Sequence, residues 1–300
     1  MKYARTLFAF ALLGTIPAGQ VAARDPAAAT TDYAVGPQYD TTHVYVAPGD
    51  FDRFVASLIA TFGGTATTKG AFQVTPTTSK TFSQLVLTPA GSVSVFGFTT
   101  PIPFPFGDER NGYLVTDLDA AIRSAVKAGA TRRISVFPDP IGRDTVVQWP
   151  GGVNMQLYWH TKAPNYPALA TVPENRVYLT PDSADAFVRS WASFARGRVV
   201  SDERSADAGE IGQPGKTYRR IRITARYGKT TVMVSDNHLP WPYGRETTGY
   251  EVANLEVTLA KGSAAGVETL VAPHREQGRQ SAIVRFPGGY IAEIHSALAP

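Results

Sequence analysis

The chain of 300 residues contains an internal repeat, and this feature constrains its fold more than any other. The segment 111–130 aligns without a gap with 248–267, at an offset of 137. A second stretch, 43–55, aligns with 176–188 at an offset of 133. Repeats this long are duplicated halves rather than short solenoid units, so a site in one half should have a counterpart in the other.

The first 23 residues have the pattern of a secretory signal peptide. Lys2 and Arg5 precede a short apolar run, and Val21-Ala22-Ala23 supply the small residues of a cleavage site. The apolar run falls short of the ~20 residues that a membrane-spanning helix needs. We therefore expect a periplasmic or secreted protein, with no membrane span after cleavage behind Ala23.

Composition narrows the class of the mature protein. With 43% hydrophobic and 18% charged residues, the chain can bury enough core for two domains. Removing Lys2 and Arg5 leaves 27 basic against 25 acidic side chains, a net charge of +2 that is too mild for a nucleic-acid partner. The absence of cysteine excludes thiol nucleophiles and thiolate metal ligands.

Each half contains two units in which a strand, a helix and two or three further strands follow one another. In the first unit, apolar residues at helical spacing predict a helix over 51–62, with Asp50 as its N-cap and Gly63 as its end. The second unit repeats the order, and the Pro-rich segment 160–175 separates the halves. We predict an N-terminal domain over 39–160 and a C-terminal domain over 174–298.

The phrases VTDLDAAIRSAVKAGA (115–130) and WPGGVNMQLYW (149–159), within this order of units, resemble the vicinal oxygen chelate superfamily. That superfamily includes glyoxalase I, extradiol dioxygenases and bleomycin-resistance proteins. The resemblance covers residues 39–298. It implies an α+β fold in which four βαβββ modules pair into two cup-shaped mixed β-sheet barrels with outer helices. Such an architecture indicates a fold and not a reaction.

The resemblance also implies where metal ligands would lie, on the first and last strands of each unit. Counting from the turn glycines places these positions at His43, Val95, Arg110 and Gln156 in one half and at Arg176, Val232, Thr247 and Glu293 in the other. A catalytic divalent site needs about three protein ligands. Each cup offers at most two, and the Arg176 cation repels a metal ion. We therefore expect no metal and no other cofactor.

The same positions suggest roles for individual residues. His43 is the candidate general base, with Arg110 or Gln156 stabilising an oxyanion; alternatively, His43 only donates to Gln156 inside a filled barrel. Arg176 and Glu293 either contact a ligand or form a buried structural pair. We expect Arg110, and also His160 and His295 near the strand ends, to be solvated.

In each half, one Pro-aromatic bridge joins the two units. The bridges are FPFG (104–107) in the N-terminal half and WPYG (241–244) in the C-terminal half. Aromatic side chains on a backbone that proline stiffens lose little entropy on contact and can line a ligand cleft. Phe104, Phe106, Trp241 and Tyr243 are therefore candidate ligand-binding residues. The alternative is that they only pack one unit against its neighbour.

These observations predict an exported, metal-independent protein that binds a small aromatic or amphipathic organic molecule. One alternative is a lyase or isomerase of glyoxalase type that uses His43 as a base. Another is a structural or interaction module of the cell envelope. No pattern in the chain indicates its oligomeric state.

Overall fold

The computed structural model describes residues 33–34, 38–236 and 238–298. The predicted signal peptide, 1–23, lies outside the described residues. Within the described part of the chain, no helix is long and apolar enough to cross a membrane.

The strands of the N-terminal half form one sheet. They are β1 (Asp40–Tyr45), β2 (Thr65–Ala66), β3 (Gly70–Phe72), β4 (Thr81–Thr88), β5 (Gly91–Phe98), β6 (Asn111–Leu114), β7 (Thr131–Arg132), β8 (Phe137–Asp139), β9 (Gly142–Trp149) and β10 (Val153–His160). Their spatial order is β2-β4-β5-β1-β6-β10-β9-β7, with β3 beside β4 and β8 beside β9.

The strands of the C-terminal half form a second, separate sheet. They are β11 (Glu174–Leu179), β12 (Arg198–Asp207), β13 (Thr217–Ala225), β14 (Gly228–Val234), β15 (Glu246–Glu251), β16 (Glu268–Glu276), β17 (Arg279–Arg285) and β18 (Ile291–Ala297). Their order, β12-β13-β14-β11-β15-β18-β17-β16, matches that of the first sheet strand for strand.

Both sheets are mixed and curled, which confirms the predicted fold. In each, the first strand pairs in parallel with the last strand of its own module and antiparallel with the first strand of the next. We expected eight strands in each half, but the first sheet has ten. The extra strands arise because each outer strand of that sheet is split: β2 and β3 both pair with β4, and β7 and β8 both pair with β9.

Four helices follow the first strands of the modules: α1 (Phe51–Phe62), α2 (Leu118–Lys127), α3 (Pro181–Ala195) and α4 (Leu255–Ala264). The repeat extends to their caps, because Asp117 accepts a hydrogen bond from Ala120 N (2.9 Å) and Asn254 accepts one from Val257 N (3.0 Å). Asp50 is the N-cap residue of α1, as predicted, and its carbonyl accepts from Phe54 N at 2.8 Å. Its carboxylate accepts from Arg53 instead of from a backbone N–H.

The helices pack on the faces of the sheets that lie opposite the curled interiors, and they connect the two halves. One core cluster includes residues of α2 and α3. In it, the ring of Trp149 on β9 lies 5.4 Å from that of Trp191 on α3. The other joins α1 and α4, where Phe54 contacts Phe286 at 6.0 Å. The interior faces of the two sheets are thereby left free for other uses. We call them the N-terminal cup and the C-terminal cup. The domain limits 39–160 and 174–298 stay predictions.

Candidate functional site

The N-terminal cup encloses a cavity of about 360 Å³. Its lining combines aromatic and aliphatic side chains with three carboxyl groups and two imidazoles. The lining residues are Asp40, His43, Tyr45, Phe72, Val74, Ser83, Leu85, Ser94, Phe96, Phe106, Asp139, Pro140, Ile141, Asp144, Gln156, Tyr158, His160 and Tyr166. A cavity of this size and composition is typical of small-molecule sites.

His43 lies on β1 at the wall of this cavity, with 3% of its surface exposed. Its backbone N–H donates to Arg110 O at 3.0 Å, which anchors β1 to the chain just before β6. Its Nδ1 lies 3.8 Å from Oε1 of the fully buried Glu109, beyond hydrogen-bonding distance. Tyr45 OH donates to the same carboxylate oxygen. The imidazole is therefore backed by a buried acid and faces the cup.

A glycine makes room for this imidazole. A Cβ added at Gly112 on β6 would lie 2.7 Å from His43 Cε1 and 2.9 Å from Nε2, closer than real Cβ contacts come. Gln156 on β10 is the ladder partner of Gly112 on β6, and its half-buried side chain lines the same cavity as His43, with β6 between their strands. The structure thus brings His43 and Gln156 together.

Arg110 lies elsewhere. Its guanidinium sits over the ring of Tyr45, 5.8 Å from the ring centroid, and it is half-buried rather than solvated as we expected. Arg110 does not belong to the described residues that line the cavity. Gln156 is therefore better placed than Arg110 to contact a molecule inside the cup.

One part of the cavity wall is acidic. Asp144 on β9 faces Tyr158 on β10 across the hairpin, and it is 5% exposed. Burial first, and the charges of Asp139 and Asp40 next, raise the pKa of the Asp144 carboxyl well above its usual range. In the described part of the chain, Asp144 Oδ1 has no hydrogen-bond partner. An unpaired buried carboxyl is costly, which makes this position unusual for a purely structural residue.

The C-terminal cup is filled by ion pairs. Arg176, the counterpart of His43, is 1% exposed, and its Nη1 lies 3.2 Å from Glu174 Oε1 and 3.7 Å from Glu293 Oε1. Arg279 binds the other oxygen of Glu174 at 3.1 Å and also donates to Glu293. Burial alone would raise the pKa of Glu174, but Arg279 and Arg176 together lower it to about 2.

A second group of ion pairs in the same cup surrounds Arg220. Arg220 is 1% exposed and binds Glu276 at 2.7 Å and Glu203 at 2.9 Å, and it also donates to Glu210. Among the described residues, the gap beside this cluster has no room for a water molecule. The C-terminal cup is therefore closed where the N-terminal cup is open.

The four bridge aromatics occupy different environments. Phe106 lines the N-terminal cavity and contacts the ring of Phe137 at 5.8 Å, whereas Phe104 is 65% exposed. Tyr243 is buried, stacks on Tyr178 at 5.0 Å and donates to Ile211 O at 3.0 Å. Trp241 is half-buried against the same cluster. The structure thus brings only Phe106 of the four to the cavity.

The positions predicted at Val95 and Val232 are wrong, because the hairpins differ in loop length. Thr88 pairs with Gly91 across a two-residue loop, whereas Trp149 pairs with Val153 across a three-residue loop. A shift of one residue moves a side chain to the other face of a strand. Val95 and Val232 therefore lie in the cores beneath the helices, and Ser94 is the cup-facing residue beside His43.

Both histidines that we expected to be solvated contact the cups. His160 lines the N-terminal cavity two residues beyond Tyr158. His295 is 6% exposed, and its Nδ1 lies 2.8 Å from Glu293 Oε2. Strand alternation from Gln156 and Glu293 places both on the cup faces, and the strands stay covered to their ends.

The donors that are present do not match the metal site that the fold family implies. In the described ranges, no group of three or more His, Cys, Asp or Glu side chains is arranged to hold a metal ion. In the C-terminal cup, the two guanidinium groups of Arg176 and Arg279 already occupy the carboxylates. In the N-terminal cup, His43 has Ser94 and Gly112 on the two adjacent strands and Gln156 on the strand beyond, and these supply no strong ligand.

No protein-family model matches the chain, and no curated protein matches its sequence. Solved structures do match it. A mutant of 4-hydroxymandelate synthase from Streptomyces coelicolor has a TM-score of 0.63 at 13% identity, covering 87% of this chain and 93% of that one. The 2,3-dioxygenase LapB from Pseudomonas sp. KL28 has a TM-score of 0.55 at 12% identity, covering 90% and 95%.

A fusion of a xylose isomerase-like TIM barrel with 4-hydroxyphenylpyruvate dioxygenase has a TM-score of 0.54 at 14% identity, covering 92% of this chain and 52% of that one. All of these proteins are members of the vicinal oxygen chelate superfamily. The chain therefore has the vicinal oxygen chelate fold that its sequence predicted. At such low identity, the likeness concerns the fold alone.

Proposed function

We propose that this is an exported protein whose N-terminal cup binds a small organic molecule with an apolar body, without using a metal ion. The observation that carries the proposal is the contrast between the two cups: one encloses about 360 Å³, and its counterpart is filled by buried ion pairs. A duplicated protein that needed both cups only for packing would have no reason to leave one of them hollow.

The walls of the N-terminal cavity support this choice of ligand. Phe96 lies 5.2 Å from the ring of Tyr45 and 5.7 Å from that of His43, which gives one side of the cavity a continuous aromatic surface. Flat apolar surface of this kind favours an aromatic or amphipathic body. His43, Gln156 and Asp144 supply a few polar groups that can orient it.

The donor set supports metal independence. Within the described part of the chain, no group of three or more suitable side chains around His43 or Arg176 could form a divalent site. Elemental analysis of the purified protein should find no zinc, nickel, iron or manganese near one ion per chain. About one ion per chain, lost in His43→Ala, would contradict this part of the proposal.

Export rests on the sequence of residues 1–23. Cell fractionation should place the protein outside the cytoplasm, and its intact mass should correspond to a chain that begins at Arg24. A cytoplasmic protein of full-length mass would contradict it.

Binding is tested with a neutral probe, 3-phenylpropan-1-ol, and a variant that fills the cavity. Ser83 on β4 lines the cavity and is half-buried, so Ser83→Trp places an indole inside the cup. Its neighbour Gln84 lies on the opposite face of the strand, so Gln84→Trp adds the same bulk outside. We expect calorimetry to show binding by the wild type and by Gln84→Trp but not by Ser83→Trp. Equal binding by all three would refute the proposed site.

A second function, proton transfer, is favoured by one observation: the His43 imidazole lines the cavity while its Nδ1 faces the buried Glu109. In that reaction Nε2 would take a proton from carbon next to a carbonyl, and Gln156 would donate to the enolate oxygen. The test is solvent deuterium incorporation at C1 of 1-hydroxy-3-phenylpropan-2-one, followed by NMR. Catalysed exchange that disappears in His43→Ala supports an enzyme; a rate equal to that without protein means binding alone.

A further inference from the structure

The cavity wall formed by β1, β8 and β9 carries an excess of negative charge. Asp40, Asp139 and Asp144 all line it. Among the described residues, the lining contains no Lys or Arg. This contrasts with the C-terminal cup, where Arg176 and Arg220 neutralise the buried carboxylates. The cavity lining therefore has carboxyl groups without matching cations among the described residues.

Two of the three carboxyl groups are already hydrogen-bonded within the protein. Asp40 accepts from Tyr166 OH at 2.9 Å and from Ser94 Oγ at 3.0 Å, so both of its oxygens are occupied. Asp139 Oδ1 accepts from Ile141 N at 2.7 Å. These two groups hold fixed negative charge at the wall of the cavity.

Asp144 differs from both. It is 5% exposed, lines the cavity, and in the described part of the chain its Oδ1 has no partner. Burying a carboxyl without a partner costs free energy unless something binds it. A donor that a ligand brings to this carboxyl group would offset that cost, and the flanking charges of Asp40 and Asp139 favour a donor that is positively charged.

We propose, building on the proposed function, that the ligand of the N-terminal cup is a protonated primary amine with an apolar, preferably aromatic, body, and that its ammonium group binds beside Asp144. An ammonium group supplies N–H donors for the Asp144 carboxyl group together with the missing positive charge. The body of the molecule then lies against the aromatic wall at Phe96 and Phe106, where the cavity offers no charge to pair.

Other ligand classes fit less well. A carboxylate or phosphate would face three carboxyl groups without a Lys or Arg in the lining to compensate. A bare divalent cation would need about three ligands in a suitable arrangement, which the described residues do not provide. A neutral alcohol fills the apolar part but leaves the charge of Asp40 and Asp139 unpaired.

The titration of Asp144 supplies a second readout. Its pKa is raised by burial and by its acidic neighbours, and a bound ammonium lowers it, so amine affinity rises with pH as Asp144 loses its proton. The groups that face Asp144 are Asp40 on β1, Asp139 on β8, Tyr158 and His160 on β10, and Tyr166. A protonated His160 would also repel an ammonium; comparison with Asp144→Asn separates the two contributions.

The test uses three probes that differ only in their polar end: 3-phenylpropan-1-amine, 3-phenylpropan-1-ol and 3-phenylpropanoate. Calorimetry should show the amine binding the wild type at least about tenfold more tightly than the alcohol, with the acid weakest. Asp144→Asn should lose about tenfold in amine affinity and keep its alcohol affinity. Asp119→Asn, which changes an exposed acid on the outer helix α2, should change neither.

The outcomes separate the two proposals. Equal affinity of amine and alcohol, or an amine preference that survives in a folded Asp144→Asn protein, would overturn the amine assignment and leave the proposed function standing. Binding of none of the three probes, or binding that persists in Ser83→Trp, would contradict the proposed function itself. A thermal melt of Asp144→Asn confirms that the variant is folded before its affinity is compared.

Discussion

His43 and Arg176 occupy equivalent positions on the first strands of the two sheets, and the difference between their side chains accompanies the difference between the cups. Both residues are buried, and each lies beside the start of the next module's first strand. His43 N donates to Arg110 O, and Arg176 is the antiparallel ladder partner of Thr247. The short imidazole leaves a cavity in front of it. The long guanidinium reaches three carboxylates, Glu174, Glu210 and Glu293, and closes its cup.

This asymmetry predicts opposite consequences for two variants. Glu293→Ala leaves Arg176 and Arg279 with fewer negative partners in a buried site, so we expect unfolding free energy to fall by about 3–5 kcal/mol while probe binding in the N-terminal cup persists. His43→Ala should keep most of the stability but weaken probe binding. Chemical denaturation and calorimetry on both variants measure this. Loss of binding in a fully folded Glu293→Ala protein would reverse the assignment of the two cups.

Gly112 and Gly249 make a matched pair at the offset of 137. A Cβ at Gly112 would lie 2.7 Å from His43 Cε1, and one at Gly249 would lie 2.8 Å from Glu293 Oε2. Neither glycine has a positive φ, so alanine at either position acts through the neighbouring side chain and not through the backbone.

We therefore expect Gly112→Ala to displace His43 and weaken binding of 3-phenylpropan-1-amine. Gly249→Ala should displace the Glu293 carboxylate and lower stability by about 1–3 kcal/mol, without changing the affinity for the probe. Denaturation and calorimetry on the two variants check this. The same effect from both substitutions, on binding or on stability, would show that the two glycines do not serve different cups.

Glu246 gives the stability of the protein a distinctive pH dependence. It lies between the halves, where its Oε1 accepts from Asn175 at 2.9 Å and from Asn111 at 3.2 Å, and burial raises its pKa to about 8. The folded state therefore holds a proton between pH ~4.5 and ~8 that the unfolded state has released. This contribution to stability is complete below pH ~4.5 and is lost as pH rises through ~8.

Glu246→Gln removes this titration and keeps the shape of the side chain. The difference in unfolding free energy between the variant and the wild type should move in favour of the variant as pH rises from ~5 to ~8, by about 3–4 kcal/mol for a shift of this size. Urea denaturation at several pH values measures it. The comparison cancels the titration of Asp144 and of the histidines, which both proteins share. A difference that is independent of pH would mean that Glu246 is ionised in the folded state throughout.

Much of the architecture could be predicted because the two halves remain similar over long segments of the sequence. The 137-residue offset marks two similar halves, and helical spacing with turn glycines marks the modules. Asp117 and Asn254 form equivalent helix caps, so the similarity of the halves extends to single hydrogen bonds. The split outer strands could not be predicted, because 64–80 and 131–139 have no strand periodicity of their own.

The site was harder to predict, because side-chain direction depends on hairpin loop length. The Pro89-Ala90 loop is one residue shorter than the Pro150-Gly151-Gly152 loop. As a result, the side chain of Val95 points into the core and that of Ser94 points into the cup. Asp144 was not predicted from the sequence, although the hairpin pattern could have identified it. Pairing of β9 with β10 across the Pro150-Gly151-Gly152 loop places Asp144 opposite Tyr158, two residues from Gln156. Glu109 and Tyr166 lie outside the strands, so no strand pattern points to them.

The measurement that tests the central claim most directly is crystallographic. Crystals of the mature protein are soaked with 3-(4-bromophenyl)propan-1-ol, and the anomalous signal locates the bromine. We predict one strong peak inside the N-terminal cup, within contact distance of Phe96 and Phe106, and no peak among Arg176, Glu293 and Arg220. A peak in the C-terminal cup, or full occupancy only at the surface, would contradict the claim that the N-terminal cup is the ligand site.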